Sequence, residues 1–287
     1  MHYLFLIHGI GDGTPSDDFE QFAERLRDAY CDYHKCSKAT FKNKFKIVPV
    51  NWDHATEGPE LNLYSKAFRV PRRSDRSLTS GNPLESVLGL FNTHAWRYFM
   101  TFFVGDAIAY VDENNNGIRE SVWKTISTSL GVGVNAEIPK YSIISHSLGS
   151  VIAFDYAFSL LEPKKKNQKP YFSFTSNNLT QGDLEKLQKG FQHLITFGSP
   201  IALFWMRNKD LWDNNFAALK NPIKGEGRLW LNYWDNDDLV AYPLEKFFEG
   251  KEGHIDDIRV ETGLTMPWAH TGYWKDSELI NDLAASL

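Results

Sequence analysis

Short apolar runs alternate along the chain with longer segments in which apolar side chains recur every three to four residues. Runs of strand length lie at 2–7, 44–52, 141–144, 191–197, 228–234 and 256–261. Helical spacing is found at 16–31, 151–161 and 276–286. Continuous apolar runs that alternate with helices are typical of parallel sheets covered on both faces. The pattern therefore predicts an α/β fold with a mainly parallel central sheet of about six strands.

One region breaks this alternation. Residues 55–138 hold no apolar run typical of a strand, but they carry aromatic and aliphatic side chains at helical spacing. We interpret them as a helical insertion between the second and third strands of a single domain that spans 1–287. The segment 69–83 is predicted to be a loop that leads into the insertion, and 162–189 a polar connection between a helix and a strand.

The composition limits the classes of partner. The chain has 287 residues, of which 42% are hydrophobic and 23% charged, so it holds enough apolar material for a folded core. Lys and Arg number 31 against 36 Asp and Glu, which gives a net charge of −5. No positive field attracts nucleic acid, and the short basic run at 164–169 is typical of a solvated loop. We expect no nucleic-acid partner.

The sequence offers no targeting signal or membrane span. The apolar start at 1–7 lacks a basic flank and a cleavage site, and the apolar stretch 88–111 contains Arg97 and Asp106. We therefore expect a cytoplasmic protein. Cys31 and Cys36 lie five residues apart in a predicted helix, where they would point to different faces. That spacing suits neither a disulfide framework nor a zinc site.

The sequence Ser145-His146-Ser147-Leu148-Gly149 follows an apolar strand and precedes an apolar helix. A sharp turn of this kind forces its central residue into a strained backbone conformation and requires small residues two positions before and after it. Ser147 would then present its hydroxyl at the apex. The backbone N–H groups at the start of the helix, including that of Leu148, would point toward any negative charge that forms nearby.

A serine hydroxyl is a poor nucleophile unless a histidine takes its proton and an acid orients that histidine. Asp235, Asp237 and Asp238 follow a predicted strand, and His270 lies in a predicted loop after the last strand. The other histidines fit the role less well. His193 falls within a strand, and His146 is expected to be a packing or hydrogen-bonding neighbour of the turn.

The turn after the first strand, His8-Gly9-Ile10, is expected to lie beside Ser147. The backbone N–H of Ile10 would then join that of Leu148 in an oxyanion hole, and His8 would fix the turn through hydrogen bonds. Removal of one such donor costs roughly 3–4 kcal/mol in known enzymes.

These features together resemble the α/β-hydrolase superfamily, in its lipase-like and serine esterase branch. The resemblance rests on the strand that ends in His8-Gly9, the turn 145–149, the sequence 197–200, and the segment 238–243 followed by His270. It covers most of the chain apart from the insertion, and Ser145 departs from the usual glycine. It implies that Ser147 is the nucleophile, His270 the general acid and base, and Asp238 the orienting acid, with Asp235 as the main rival.

The resemblance implies a serine carboxylic-ester hydrolase that acts on acylated, lipid-like substrates and requires no cofactor. A thioesterase, an amidase or an acyltransferase would use the same residues. From a different class, the fold could be a catalytically silent module that binds a lipid or a partner protein.

The insertion has two interpretations that are compatible with each other. Its helices either pack over the sheet or form a lid whose apolar face contacts an acyl chain and, transiently, a lipid surface. Such insertions stand over the carboxyl ends of the strands, where α/β folds bind ligands. The candidate pocket residues are Trp96, Phe99, Phe102, Phe103 and Trp205.

Two weaker motifs are set aside. Residues 112–117 match the first half of a calcium-binding EF-hand loop, but Trp123 stands where a bidentate Glu is needed. A polar turn between helices is the favoured interpretation. The spacing of Gly9, Gly11 and Gly13 differs from that of the dinucleotide-binding motif, and no Walker lysine follows. We expect neither a metal nor a nucleotide.

Overall fold

A computed structural model describes residues 1–9, 15–52, 103–111, 117–161, 179–205, 219–220, 227, 229–249, 255–264 and 268–287. Its central sheet has six strands, all parallel, in the order β2-β1-β3-β4-β6-β8. They are β1 (His2–Ile7), β2 (Phe45–Val50), β3 (Lys140–His146), β4 (Phe191–Phe197), β6 (Leu229–Trp234) and β8 (Ile255–Arg259). Two short strands, β5 (Leu219–Lys220) and β7 (Phe248–Glu249), pair in a separate sheet. The predicted α/β fold with a parallel sheet is confirmed, and each of the six apolar runs forms one of its strands.

The helices are α1 (Pro15–His34), α2 (Lys38–Lys44), α3 (Gly117–Leu130), α4 (Leu148–Leu161), α5 (Gln181–Gly190), α6 (Ile201–Trp205), α7 (Trp268–Gly272) and α8 (Ser277–Ser286). Residues 103–111 are also helical, and 3₁₀ turns occupy Glu245–Phe247 and Tyr273–Lys275. Within the described ranges, no helix is long and apolar enough to cross a membrane.

Two hydrophobic clusters cover the two faces of the sheet. Successive side chains of a strand point to opposite faces, and in β1 this sends Leu4 and Leu6 into one cluster and Phe5 and Ile7 into the other. Helices α1, α2 and α8 cover the face of Leu4, whereas α3, α4, α5 and α6 cover the face of Phe5. Helix α4 is mostly apolar and is buried except at its last residue, because it lies between the sheet and its neighbouring helices.

The order of the strands places a topological switch point between β1 and β3. These two strands are neighbours, with Ile7 opposite Ser145, yet α1 follows β1 on one face while α4 follows β3 on the other. The two connections therefore diverge at the carboxyl ends of the strands. In open α/β sheets, ligands bind at such a switch point.

The prediction that Cys31 and Cys36 point to different faces is wrong. Helix α1 ends at His34, and Lys35 adopts a left-handed backbone with φ 53°. This reversal lets the Cys36 N–H donate to the Cys31 carbonyl at 3.0 Å and brings the two Sγ atoms to 3.6 Å. Both are free thiols. Spacing along an ideal helix does not apply, because the helix ends between the two residues.

Two segments predicted to be irregular contain helices. In the polar connection 162–189, α5 begins after Thr180, whose side chain accepts from the Asp183 N–H while Asp183 accepts from the Thr180 N–H. This capping box is visible in the sequence as Thr followed three residues later by an acidic residue. His270, predicted to lie in a loop, sits in the short helix α7.

Much of the predicted insertion lies outside the described residues. Of its described parts, 103–111 and 117–130 are helical as predicted, whereas 131–138 form turns and irregular structure. The loop at 69–83, the basic run at 164–169 and the polar turn at 112–116 all fall outside them.

The close approach of α4 to β1 can be tested at one glycine. A Cβ at Gly149 would lie 2.2 Å from the His8 carbonyl oxygen and 2.7 Å from that of Ile7. Because neither backbone atom can move freely, Gly149→Ala is expected to lower the free energy of unfolding by about 1–3 kcal/mol in urea titrations. Gly182→Ala in α5 is the control and should not destabilise the protein, because a Cβ there would lie 3.7 Å from the Thr180 hydroxyl, at ordinary contact distance. Equal stability of the two variants would contradict the close approach.

Candidate active site

Ser147 is the single residue between β3 and α4. It has φ 54°, a left-handed conformation that residues other than glycine rarely adopt. Its N–H donates to the Phe197 carbonyl at 3.1 Å, and its carbonyl accepts from the Ser150 N–H at 2.9 Å. Strain of this kind costs on the order of 1–3 kcal/mol and persists only where the surroundings fix it.

The end of β1 packs directly against this turn. A Cβ at Gly9 would lie 2.3 Å from the Ser147 Cβ, so only glycine allows the backbone to come this close. Ser145, which stands where the hydrolase resemblance expects glycine, is fully buried, and its hydroxyl donates to the Ile195 carbonyl at 3.0 Å. The substitution therefore leaves no buried hydroxyl without a partner.

A continuous hydrogen-bonded chain joins Ser147, His270 and Asp238. The His270 Nε2 lies 2.7 Å from the Ser147 Oγ, and the His270 Nδ1 lies 2.8 Å from the Asp238 Oδ2. A carboxylate only accepts, so the Nδ1 carries the proton and the Nε2 lone pair faces the serine hydroxyl. All three residues are at most 2% exposed. The structure thus brings the three predicted residues together in the predicted order of contact.

Asp238 is held by two further donors. Its Oδ2 also accepts from the Tyr273 hydroxyl at 3.0 Å, and its Oδ1 accepts from the Val240 N–H at 3.1 Å. Burial alone would raise the pKa of the Asp238 carboxyl. The hydrogen bond and charge of His270, with the Val240 and Tyr273 donors, outweigh burial and hold that pKa below its usual value. Asp238 is therefore charged at neutral pH.

Asp235, the alternative orienting acid, does not contact His270 and instead accepts hydrogen bonds from neighbouring backbone and side-chain groups. The Asp235 Oδ1 accepts from the Asp237 N–H at 2.8 Å, and its Oδ2 accepts from the N–H and hydroxyl of Thr262 and from the Gly263 N–H. These bonds tie the end of β6 to the segment before α7. Asp237 has an exposed side chain. Of the three carboxylates, Asp238 is the one in contact with His270.

His146 forms a hydrogen bond with the backbone of His270. Its Nε2 donates to the His270 carbonyl at 2.7 Å, and its ring stacks on Phe197 with centroids 5.4 Å apart. Burial, followed by the charge on His270, lowers the pKa of His146 to about 3. The ring is therefore neutral and acts as a donor, in line with its predicted role as a hydrogen-bonding neighbour.

The end of β1 is fixed by aromatic packing and hydrogen bonds. The His8 Nδ1 donates to the Gly9 carbonyl at 2.7 Å, and the His8 ring is stacked on Trp52 with centroids 5.2 Å apart. The Trp52 Nε1 donates to the His8 carbonyl at 3.1 Å. His8 thus holds the turn through a hydrogen bond, as predicted.

The predicted oxyanion and pocket residues are only partly described. Leu148 is the first residue of α4, so its N–H has no carbonyl partner within the helix. Phe103 is buried at the start of the helical segment 103–111, and Trp205 is the last residue of α6. Ile10, Trp96, Phe99 and Phe102 lie outside the described residues.

Sequence reasoning missed Tyr273, and it considered Asp235 only as the alternative orienting acid. Tyr273 is a donor to Asp238, and Asp235 anchors the neighbouring segment. Tyr273 follows His270 by three residues, a spacing that places two side chains on the same side of a helix. That spacing would have signalled Tyr273 only if the segment had been predicted to be helical.

Neither models of known protein families nor curated protein sequences match the chain. In the part of the chain that the structure describes, no group of three or more His, Cys, Asp or Glu side chains could hold a metal ion. The function is therefore argued from the geometry of the site.

The lowered pKa of the buried His146 predicts the pH range over which its ring stays neutral. With its pKa lowered to about 3, His146 should remain neutral from pH 8 to pH 4, whereas the unfolded chain takes up a proton near pH 6.5. The contribution of His146 to stability is therefore present above about pH 6.5 and falls as the pH drops toward 3. Ring-proton NMR spectra, assigned with His146→Gln, should show a His146 resonance that does not shift over this range. A His146 resonance that titrates near pH 6 would contradict the neutral donor.

Proposed function

We propose that the protein is a serine hydrolase that cleaves carboxylic esters through an acyl-enzyme intermediate. The observation that carries the proposal is the hydrogen-bonded chain from the Ser147 hydroxyl through His270 to the Asp238 carboxylate. Ser147 is the nucleophile, His270 the general base and acid, and Asp238 the residue that orients His270 and stabilises its charged form.

The first half of the reaction transfers the acyl group to the enzyme. The Ser147 Oγ attacks the ester carbonyl carbon while the His270 Nε2 takes the hydroxyl proton. The carbonyl oxygen becomes an oxyanion in a tetrahedral intermediate, and the imidazolium is stabilised by Asp238 at 2.8 Å. When the intermediate collapses, the carbon–oxygen bond to the alcohol breaks, and His270 returns the proton to the leaving oxygen.

The second half repeats these steps with water. His270 takes a proton from the water, whose oxygen attacks the acyl carbon. When the second tetrahedral intermediate collapses, the carbon–oxygen bond to Ser147 breaks and His270 returns the proton to the serine oxygen. The products are a carboxylic acid and the free serine.

The oxyanion would form at the start of α4. The N-terminus of this 14-residue helix carries a partial positive charge, and the N–H of Leu148 is the proposed donor from this side. The second donor is the predicted N–H of Ile10, which follows the Gly9 backbone that touches Ser147. Each donor would contribute roughly 3–4 kcal/mol.

The proposal of an α/β-hydrolase fold is based on the turn at 145–149 that carries Ser147, and not on the sheet alone. A six-stranded parallel sheet with helices on both faces is shared with dinucleotide-binding folds, in which a glycine-rich turn follows the first strand and receives a phosphate. Here the left-handed residue is a serine in contact with a histidine, after β3. This arrangement favours acyl transfer over nucleotide binding.

The substrate class follows from the expected lid. We propose acylated, lipid-like esters, held under the helical insertion at 55–138. A thioester hydrolase or an acyltransferase would use the same chain of residues. A silent binding module is disfavoured, because a ligand site does not require a strained serine within hydrogen-bonding distance of a histidine that is itself oriented by a carboxylate.

The role of Ser147 can be tested by a single substitution. Ser147→Ala is expected to lower kcat/KM for p-nitrophenyl butyrate by about 10⁴-fold to 10⁶-fold, because no other group can form the acyl-enzyme. The far-UV circular dichroism and the urea midpoint should stay close to those of the parent protein. Ser159→Ala, a change at a buried serine within α4, is the matched control and should keep full activity. Equal activity of the parent and Ser147→Ala would end the proposal.

Substitution of Asp238 should lower activity, whereas substitution of Asp235 should lower stability. Asp238→Asn is expected to lower kcat by about 10⁴-fold, because the amide no longer favours the Nδ1–H form of His270. Asp235→Asn is expected to lower the free energy of unfolding by about 1–3 kcal/mol, because its amide group faces the donors of Thr262 and Gly263. Steady-state kinetics and urea titrations of both variants provide the measurement. A severe loss of kcat in Asp235→Asn with a mild loss in Asp238→Asn would reassign the orienting acid.

A further inference from the structure

The Tyr273 hydroxyl lies between the two acidic residues that follow β6. Its Oη is 3.0 Å from the Asp238 Oδ2 and 2.9 Å from the backbone nitrogen of Asp235. The side chain is fully buried, and its ring is stacked on Phe197 with centroids 5.9 Å apart. The hydroxyl therefore sits in a rigid environment.

The direction of these two hydrogen bonds is fixed by chemistry. The Asp235 N–H can only donate, so the Tyr273 oxygen accepts there, and its one proton is directed to Asp238. Burial, and then the charge on Asp238, raises the pKa of Tyr273, so the phenol keeps this proton throughout the neutral range.

The same carboxylate oxygen accepts from two residues of one short segment. The Asp238 Oδ2 receives the Nδ1–H of His270 at 2.8 Å and the hydroxyl of Tyr273, while the Oδ1 receives the Val240 N–H. A carboxylate held by one donor can rotate and swing away from that donor. With donors on both oxygens and two on Oδ2, the Asp238 plane is fixed relative to the imidazole.

We propose that Tyr273 is a positioning residue, which holds the Asp238 carboxylate so that His270 keeps its Nδ1–H form and its aim at Ser147. This inference rests on the proposed hydrolase function. Tyr273 acts through Asp238, and none of its described contacts is with Ser147.

Removal of the Tyr273 hydroxyl takes one of the two donors from the Asp238 Oδ2, and it also removes the acceptor of the Asp235 N–H. The Asp238 plane is then less constrained relative to the imidazole. Misalignment of the general base lowers the rate of the chemical steps and leaves the binding of the substrate unchanged.

The test is Tyr273→Phe, which removes one oxygen atom and keeps the ring. Tyr233→Phe is the matched control, because Tyr233 is also fully buried and donates to a carboxylate, the Asp282 Oδ2, at 2.7 Å. The kcat and KM for hydrolysis of p-nitrophenyl butyrate are measured for both variants. Tyr273→Phe is expected to lower kcat by about 10-fold to 100-fold with KM unchanged. Tyr233→Phe should alter neither.

A double-mutant cycle separates positioning from general damage. If Tyr273 acts through Asp238, Tyr273→Phe should have little further effect on kcat in the Asp238→Asn background. Equal losses of kcat in both backgrounds, or an unchanged kcat in Tyr273→Phe, would overturn the proposal. Parent protein without Ser147-dependent hydrolysis would instead overturn the hydrolase function itself, so the two failures are distinguishable.

Discussion

The left-handed backbone of Ser147 is the constraint on which the rest of the site depends. A residue with φ 54° between a strand and a helix makes the chain turn within one residue, and it leaves the side chain at the apex of that turn. The turn is compatible with the fold only because Gly9, just after β1, lies beside the Ser147 side chain, and because Gly149, the second residue of α4, lies against the carbonyl oxygens of Ile7 and His8. The parallel sheet supplies both, because β1 and β3 are neighbours that end at the same edge.

His270 is held in place by residues at the ends of β3 and β6. Asp238, after β6, accepts from its ring, while His146, at the end of β3, donates to its backbone carbonyl. Asp235 ties the segment before α7 to the end of β6 through Thr262 and Gly263. The 2.7 Å contact between His270 and Ser147 therefore follows from the positions of the strands and not from a flexible loop. This matters for catalysis, since small displacements of a general base are costly.

The sequence was informative where function and local structure coincide. The six apolar runs predict the strands, because a strand buried on both faces needs apolar residues throughout. The need of Ser147 for a histidine and an acid follows from the weak nucleophilicity of a serine hydroxyl. The sequence was uninformative where the contact depends on tertiary structure. The choice between Asp235 and Asp238 rests on which carboxylate faces α7, and the hydrogen bond from Tyr273 depends on the same packing. The contact between Cys31 and Cys36 was missed because it depends on the residue at which α1 ends.

Reaction with a fluorophosphonate tests most directly the proposal that Ser147 is an activated nucleophile, because the probe modifies an activated serine whatever the natural substrate. Intact mass before and after incubation, followed by peptide mapping, locates the adduct. We expect one adduct, on Ser147, that is lost in His270→Ala. A folded parent protein that forms no adduct, or an adduct on Ser147 that forms equally fast without His270, would contradict it.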